Sequence, residues 1–139
     1  MISLTDEVER EELIAQLRAS GVKHNPENIL RITRLSEGKI VFLEIGNDIS
    51  GWQHIRKDHA NDFANRGIPE DMIIDAIMSA VTSGIIIGTQ GTKRKRDVYE
   101  IEFNGVVQYI SISVGENSYV VGANPTRKDI IHRLLRDRQ

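Results

Sequence analysis

The chain has 139 residues, 40% hydrophobic and 27% charged, a composition that fits a folded domain with its own core and excludes a disordered chain. Its 18 Lys and Arg against 20 Asp and Glu leave a net charge of -2, so any binding of nucleic acid would have to depend on local basic patches. Because cysteine is absent, disulfides, thiol catalysis and cysteine-ligated zinc are excluded.

The sequence also lacks the signals of membrane insertion. No apolar run approaches the roughly 20 residues that a membrane helix needs. Residues 1–12 are acidic and lack the basic and apolar parts of a signal peptide. We therefore expect a soluble domain without membrane contact, made in the cytoplasm, and any export signal would lie outside this chain.

The first third of the chain predicts one helix and one hairpin. Apolar residues recur at helical spacing before Gly21, which is a typical helix stop. Two apolar runs, residues 29–35 and 39–45, flank a Ser-Glu-Gly turn and are typical of a β-hairpin.

The middle of the chain predicts two further helices. The first covers about residues 50–65 and is closed by an Arg-Gly pair. The second begins at Pro69, whose ring suits the first helical position, and ends at Gly84.

From residue 85 the hydrophobic period changes to two, which predicts strands. Residues 85–88 form a short apolar run that we expect to be a buried strand. In residues 97–103 and 107–114, the side chains alternate between the two faces of a strand. The Asn-Gly pair between the two segments is a strong hairpin signal. Another strand and a basic helix follow. The order predicts a single α+β domain over residues 1–139: N-terminal helices followed by a four-stranded antiparallel sheet, with an extra N-terminal helix and β-hairpin and a C-terminal helix.

Residues 51–63 contain the only tryptophan of the chain and two of its four histidines. Histidines beside cationic side chains, here Arg56 and Lys57, suit acid–base chemistry on a phosphate ester. At about 100° per residue, however, His59 falls on the apolar face of the helix and His54 on the opposite arc.

The helical wheel therefore predicts that the two histidines do not share a face. His59 would point toward the sheet, into a groove lined by side chains of both the helix and the strands. His54, at the helix start, would be the second candidate for the site. A structural role is the alternative for each residue. His59 would then be a core histidine bonded to a backbone carbonyl, and His54 a solvated residue beside Asp58.

A second signal is a basic run in the connection between two predicted strands: Lys93, Arg94, Lys95 and Arg96 follow Thr92. Such a loop beside an open sheet face would grip phosphate groups, and a solubilising loop is the alternative. Arg96 is the most constrained of these residues because it is closest to the strand.

A third signal is a set of polar residues on the last two predicted strands. Ser111 and Ser113 share one face of their strand, and Asn124 and Thr126 stand at the end of the next. These groups would hydrogen-bond phosphate oxygens, or they would be an ordinary solvent-facing surface. Thr126 would alternatively cap the last helix.

The sequence predicts no metal site. The two histidines of the central helix are five residues apart, whereas helical zinc ligands prefer spacings of three or four, and no third ligand accompanies them.

Two motifs in this order of elements resemble a known superfamily. Gly51-Trp52-x-His54-Ile55-x-x-x-His59 precedes a helix and four strands, and Val120-Val121-Gly122-Ala123-Asn124-Pro125-Thr126 ends them. Together they resemble the barnase/EndoU/colicin/RelE superfamily of ribonuclease toxins, in particular the toxin domains of polymorphic and contact-dependent growth inhibition toxins. The resemblance spans about residues 40–127. It makes residues 47–139 the core with a C-terminal helix and residues 1–46 an N-terminal elaboration.

The resemblance implies metal-independent cleavage of RNA, tRNA being one candidate, without a cofactor. A base would remove the proton of a ribose 2′-OH, which attacks the adjacent phosphate to leave a 2′,3′-cyclic phosphate, while an acid protonates the leaving oxygen. The catalytic residues would be His59, His54, Arg96 and Thr126, and the substrate-binding residues Lys57, Arg56, Thr92, Lys93, Ser111, Ser113 and Asn124.

The resemblance also implies partners and a place of action. A cognate immunity protein or antitoxin would neutralise the enzyme, which would act in a cytoplasm, with delivery as part of a larger toxin as one route. The main alternative is a non-catalytic RNA- or protein-binding module on the same fold. A third reading, an immunity-like partner, is disfavoured by the basic run at residues 93–96, since such surfaces are usually acidic.

Overall fold

The computed structural model describes residues 4–93 and 95–138 and confirms the predicted α+β architecture. An N-terminal helix and a β-hairpin precede two helices, a four-stranded antiparallel sheet and a C-terminal helix, in the predicted order. The helices are α1 (Leu4–Ala19), α2 (Trp52–Ala64), α3 (Ile73–Ser83) and α4 (Lys128–Asp137); the strands are β1 (Ile29–Arg34), β2 (Ile40–Glu44), β3 (Ile85–Gln90), β4 (Arg96–Phe103), β5 (Val106–Val114) and β6 (Val120–Pro125).

The large sheet is a meander in the order β3-β4-β5-β6. The turn between β4 and β5 uses positive φ at both Asn104 (52°) and Gly105 (80°), as the predicted Asn-Gly hairpin requires. The hairpin of β1 and β2 is joined to the end of this sheet, since the Phe42 amide donates to the Ser118 carbonyl at 3.1 Å.

One face of the large sheet forms the main core with α2 and α3. Alternate residues of β4, β5 and β6 point to this side because side chains of a strand change face at every residue. The cluster combines fully or largely buried side chains of these strands and helices: Tyr99, Ile101, Ile110, Ile112, Ala123, Ile55, Phe63, Ile73 and Ile77. Val41 and Leu43 of β2 join the same cluster.

The other face of the sheet carries Ser111 and Asn124, which the strand register pairs directly, and Arg96, which stands two residues before Val98, the β4 partner of Ser111. Helix α4 covers the β3 end of this face, where a Cβ on Gly88 would come within 2.6 Å of the Leu134 side chain. Helix α2 packs mainly on β6, the strand at the opposite edge. The polar part of the face therefore lies between α4 and α2.

The prediction of a buried strand at residues 85–88 is wrong in part. Ile85 is 63% exposed and Ile86 52%, and only Ile87 is buried. The reason is that β3 is an edge strand, so its side chains have strand neighbours on one side alone. No helix in the described part of the chain is both long and apolar enough to cross a membrane.

Replacing Phe63 by alanine should lower the free energy of unfolding by about 3–5 kcal/mol, because the fully buried ring would leave a cavity in the core. Asn61→Ala, on the exposed side of the same helix, is the matched control and should change it by less than about 0.5 kcal/mol. Urea denaturation followed by circular dichroism measures both values. A loss for Phe63→Ala no larger than that of the control would contradict its role as the anchor of α2.

Candidate active site

The start of helix α2 is tied directly to strand β6. The Gly51 amide donates to the Val121 carbonyl at 2.9 Å, and Gly51 has a φ of 82°. A Cβ on this residue would lie 2.5 Å from the Tyr119 hydroxyl, so the close approach requires glycine. The first turn of α2, with His54, is thereby brought to the surface of β6.

Three polar groups from three elements converge on Gly122 of β6. A Cβ on Gly122 would have Ser113 Oγ at 3.4 Å, His54 Nε2 at 3.6 Å and Arg96 Nη2 at 3.7 Å. Glycine leaves this methyl-sized volume unfilled, and both His54 and Arg96 are partly exposed. We call His54, Arg96 and Ser113 around Gly122 the Gly122 cluster.

The rings of the two histidines of α2 lie close together, although their positions fall on different arcs of the helix. The ring centroids of His54 and His59 are 6.4 Å apart, with the rings nearly perpendicular. Asp58 and Asp62 occupy the arc of the helix between the two histidines. Asp62 accepts a hydrogen bond from His59, and Asp58 lies within ion-pair distance of His54. The His54 Nδ1–Asp58 Oδ2 distance is 3.2 Å and the His59 Nδ1–Asp62 Oδ2 distance is 3.0 Å. Both rings therefore lean toward the same arc.

The expected ranking of the two histidines is also reversed. His54, the second candidate by the helical wheel, reaches the sheet at Gly122, and its side chain is only 18% exposed. His59, expected to face the sheet, is 23% exposed and contacts the site through His54.

The hydrogen-bond partners of His54 define which of its nitrogens is free. Its Nδ1 lies 3.2 Å from the Asp48 carbonyl as well as from Asp58. A carbonyl oxygen only accepts, so Nδ1 carries the proton and the neutral ring presents its lone pair at Nε2, toward Gly122. The partner of His59 Nδ1 is a carboxylate, so Nδ1 of that ring carries a proton as well.

Arg96 is held in the cluster by a neutral group. Its guanidinium donates to the Asn124 side-chain oxygen, and the Asn124 amide nitrogen donates to the Pro125 carbonyl at 2.9 Å. Arg96, predicted to be the most constrained of the basic run, is half-buried, whereas Thr92, Lys93 and Lys95 are exposed. Arg94 lies outside the described residues.

Ser111 and Thr126 form a buried chain below this surface. Both are fully buried, their hydroxyl oxygens are 2.8 Å apart, and Ser111 Oγ donates to Gln90 Oε1 at 2.7 Å. The alternative that Thr126 caps α4 is wrong, because Arg127 stands at the cap position without a side-chain cap bond. These two hydroxyls support the strands that carry Arg96 and Ser113.

The remaining predicted substrate-binding residues lie away from the Gly122 cluster. Arg56 is exposed, and Lys57 Nζ is 3.3 Å from Asp48 Oδ2 in the loop before α2. Thr92 and Lys93 lie in the exposed loop between β3 and β4. None of these four side chains is among the three groups nearest to a Cβ on Gly122.

Sequence reasoning missed several residues that build the site. Gly122 is recognisable only from its neighbours in space, whereas Asp62 stands three residues after His59, a spacing that marks helical partners. Tyr109, on the same face as Ser111, donates to Glu100 Oε2 at 2.8 Å. Burial, and then this hydrogen bond, raise the pKa of Tyr109, so its phenol stays protonated at neutral pH.

No model of a known protein family matches this chain, and no curated protein sequence matches it significantly. Within residues 4–93 and 95–138, no three His, Cys, Asp or Glu side chains are grouped as metal ligands. The geometry itself offers two imidazoles for proton transfer beside a guanidinium and a hydroxyl that bind anions.

Thr126→Val should lower the free energy of unfolding by about 1–3 kcal/mol, because it removes the buried partner of Ser111 while keeping the side-chain shape. Thr126→Ser keeps the hydroxyl and should lose only the contribution of a methyl group, about 1 kcal/mol. Chemical denaturation of both variants checks this. A serine variant that is less stable than the valine variant would show that packing, and not the hydrogen bond, is what Thr126 supplies.

Proposed function

We propose that the chain is a metal-independent endoribonuclease that cleaves RNA through attack of a ribose 2′-OH on the adjacent phosphodiester. The observation that carries the proposal is the Gly122 cluster. It sets an unprotonated imidazole nitrogen, a guanidinium and a hydroxyl around one unfilled volume, with a second imidazole beside them. This is the set of groups that the reaction requires.

His54 is proposed as the general base and His59 as the general acid. His54 Nε2 takes the proton of the 2′-OH as its oxygen forms a bond to phosphorus. The bond from phosphorus to the 5′ oxygen breaks, and His59, which in its imidazolium form carries a proton on both ring nitrogens, gives that oxygen its Nε2 proton. The products are a 2′,3′-cyclic phosphate and a free 5′-OH. The Asp48 carbonyl holds the His54 ring, and the Asp62 carboxylate holds the His59 ring, in these orientations through Nδ1.

Arg96 and Ser113 are proposed to stabilise the phosphorane, which carries more negative charge than the starting diester. A guanidinium binds two phosphate oxygens at once, and Asn124 fixes its plane. Lys93 and Lys95, exposed in the loop before β4, would contact the RNA backbone on either side. A ribonuclease of this kind acts in the cytoplasm and requires a neutralising partner, for which we propose an acidic immunity protein or antitoxin that covers the site.

Alanine at His54 or at His59 should each slow the cleavage of total RNA by about 10²- to 10⁴-fold, the usual contribution of general acid–base catalysis. His132→Ala, which removes an exposed histidine of α4, is the matched control and should cleave at the wild-type rate. Gel assays of purified tRNA with mapping of the new ends measure the rates and the cyclic phosphate.

Addition of EDTA should leave these rates unchanged, because both proton transfers are assigned to imidazoles. Normal cleavage by a folded His54→Ala protein would remove that residue from the mechanism. Binding of tRNA by the wild-type chain without any cleavage would favour the non-catalytic module instead.

Gly122→Ala should slow cleavage by about 10²-fold while leaving the fold intact. The new methyl group would stand at ordinary contact distances of 3.4–3.7 Å from its neighbours, and the residue does not have a left-handed backbone. It would nevertheless occupy the volume in which the phosphate is proposed to bind, and a displacement of about 1 Å is enough for such a loss. The urea midpoint serves as the control for folding. A stable Gly122→Ala protein with the wild-type rate would place the reaction elsewhere.

A further inference from the structure

A groove of about 460 Å³ lies where strand β4 extends beyond β3, beside the C-terminal end of helix α3. We call it the edge groove. The lining residues that matter here are Ser79 and Ser83 of α3, Ile85 of β3, Glu100 and Glu102 of β4, and Val107 of β5. None of them belongs to the Gly122 cluster. Glu102 stands six residues after Arg96 along β4, a distance of about 20 Å in a strand, so the edge groove lies at the other end of the sheet from the candidate active site.

The groove exposes an unpaired edge of β4. Strand β3 begins at Ile85, which pairs with Glu100, whereas β4 continues to Phe103. Residues 101–103 therefore have β5 on one side and, among the described residues, no strand on the other. Backbone N–H and C=O groups on such an edge can pair with a further strand. The groove thus offers a pairing edge of about three residues, or roughly 10 Å.

Apolar side chains are concentrated around this edge. Four of the six large hydrophobic residues that are exposed in the described part of the chain lie at this end of the sheet: Ile85, Ile86, Val106 and Val107. Ile85 pairs with Glu100 and Val107 with Glu102, so these two apolar side chains lie on the same face as the glutamates. Exposed apolar residues that cluster beside an unpaired strand are typical of a surface that another chain covers.

The groove also carries negative charge that the described residues do not neutralise. Glu100 and Glu102 point to the same face of β4, and neither forms an ion pair within residues 4–93 and 95–138. Glu100 accepts the Tyr109 hydroxyl with one oxygen, at 2.8 Å. Helix α3 ends at Ser83 in the groove wall without a basic residue in its last turn, and a helix C-terminus carries about half a negative charge. These three sources of negative charge favour a cationic ligand.

A strand added to β4 at this point would alternate its side chains between two different walls. The side chains on one face would meet Glu100 and Glu102, and a Lys or Arg there would lay its aliphatic stem along Val107. The intervening side chains would meet the end of α3 at Ser79 and Ser83. The walls therefore favour a segment in which cationic residues alternate with apolar ones.

We propose that the edge groove is a docking site for an extended segment of a partner protein, in which Lys or Arg alternates with apolar residues and which pairs with β4 as an added strand. Main-chain hydrogen bonds to residues 101–103 supply the binding, and Glu100 and Glu102 select cations at alternate positions. An acidic partner such as the one proposed for the Gly122 cluster is repelled here, so the two surfaces take different partners. This docking site does not rest on the proposed ribonuclease activity.

Binding of short labelled peptides, followed by fluorescence anisotropy, tests the docking site. The probe is acetyl-Val-Lys-Val-Lys-Val-amide; one control peptide has Glu in place of Lys, and another is N-methylated at its three inner residues. We expect the lysine peptide to bind at least about tenfold more tightly than either control, because the controls reverse the charge or remove the strand donors. The double variant Glu100→Gln/Glu102→Gln should weaken it by roughly three- to tenfold, the range for two partly exposed ion pairs. Glu116→Gln, at an exposed position in the turn between β5 and β6, should bind as the wild type does.

Nitrogen-15 NMR locates the bound peptide, and we expect the largest backbone amide shifts at residues 100–103. No binding of the lysine peptide, equal binding of the lysine and glutamate peptides, or binding that the double variant does not weaken would overturn the docking site. Equally tight binding of the N-methylated peptide would overturn the added strand, since charge alone would then hold the peptide. The assay contains no RNA, so its outcome is independent of whether the chain cleaves RNA.

Discussion

The hydrogen bond from the Gly51 amide to the Val121 carbonyl is the contact on which the Gly122 cluster depends. It holds the first turn of α2 against β6, and the absence of a side chain at Gly51 allows Tyr119 to approach the loop. On one side of this contact, His54 is carried onto the surface of the sheet. On the other side, the Asp48 carbonyl in the loop before α2 accepts from His54 Nδ1. A single backbone contact therefore places His54 against both the sheet and the loop that sets its tautomer.

The order of the elements was predictable because its signals are local. The change from helical spacing to alternation near residue 85, and the Asn104-Gly105 turn, each depend on a few neighbouring residues. The convergence of the histidines was not predictable from the same wheel. A wheel gives the direction of each Cα–Cβ bond, whereas the hydrogen bonds of Nδ1 to the Asp48 carbonyl and to Asp62 decide where the imidazoles lie.

Polar residues that share a strand face also differ in burial, which the alternation of side chains along the strand does not reveal. Ser111 and Ser113 point to the same side, yet Ser111 is fully buried and Ser113 contributes to the Gly122 cluster. The difference comes from Gln90 of β3 and from Thr126, the residue after β6, which both hydrogen-bond to Ser111. The edge groove is hidden from sequence reasoning as well, because its walls come from α3, β3, β4 and β5, which only the fold brings together.

The slightly acidic net charge of the chain does not oppose an anion at the Gly122 cluster, because the side chains around the cluster determine the electrostatic potential there. The carboxylates of Asp58 and Asp62 contact Nδ1 of each ring, so Nε2 remains available to a substrate. Arg96 is bound by the neutral amide of Asn124, and no ion pair involving Arg96 occurs within the part of the chain that is described. Asparagine fixes the guanidinium plane without neutralising it. Arg96 therefore keeps its full positive charge for a ligand. An aspartate at position 124 would have neutralised that charge.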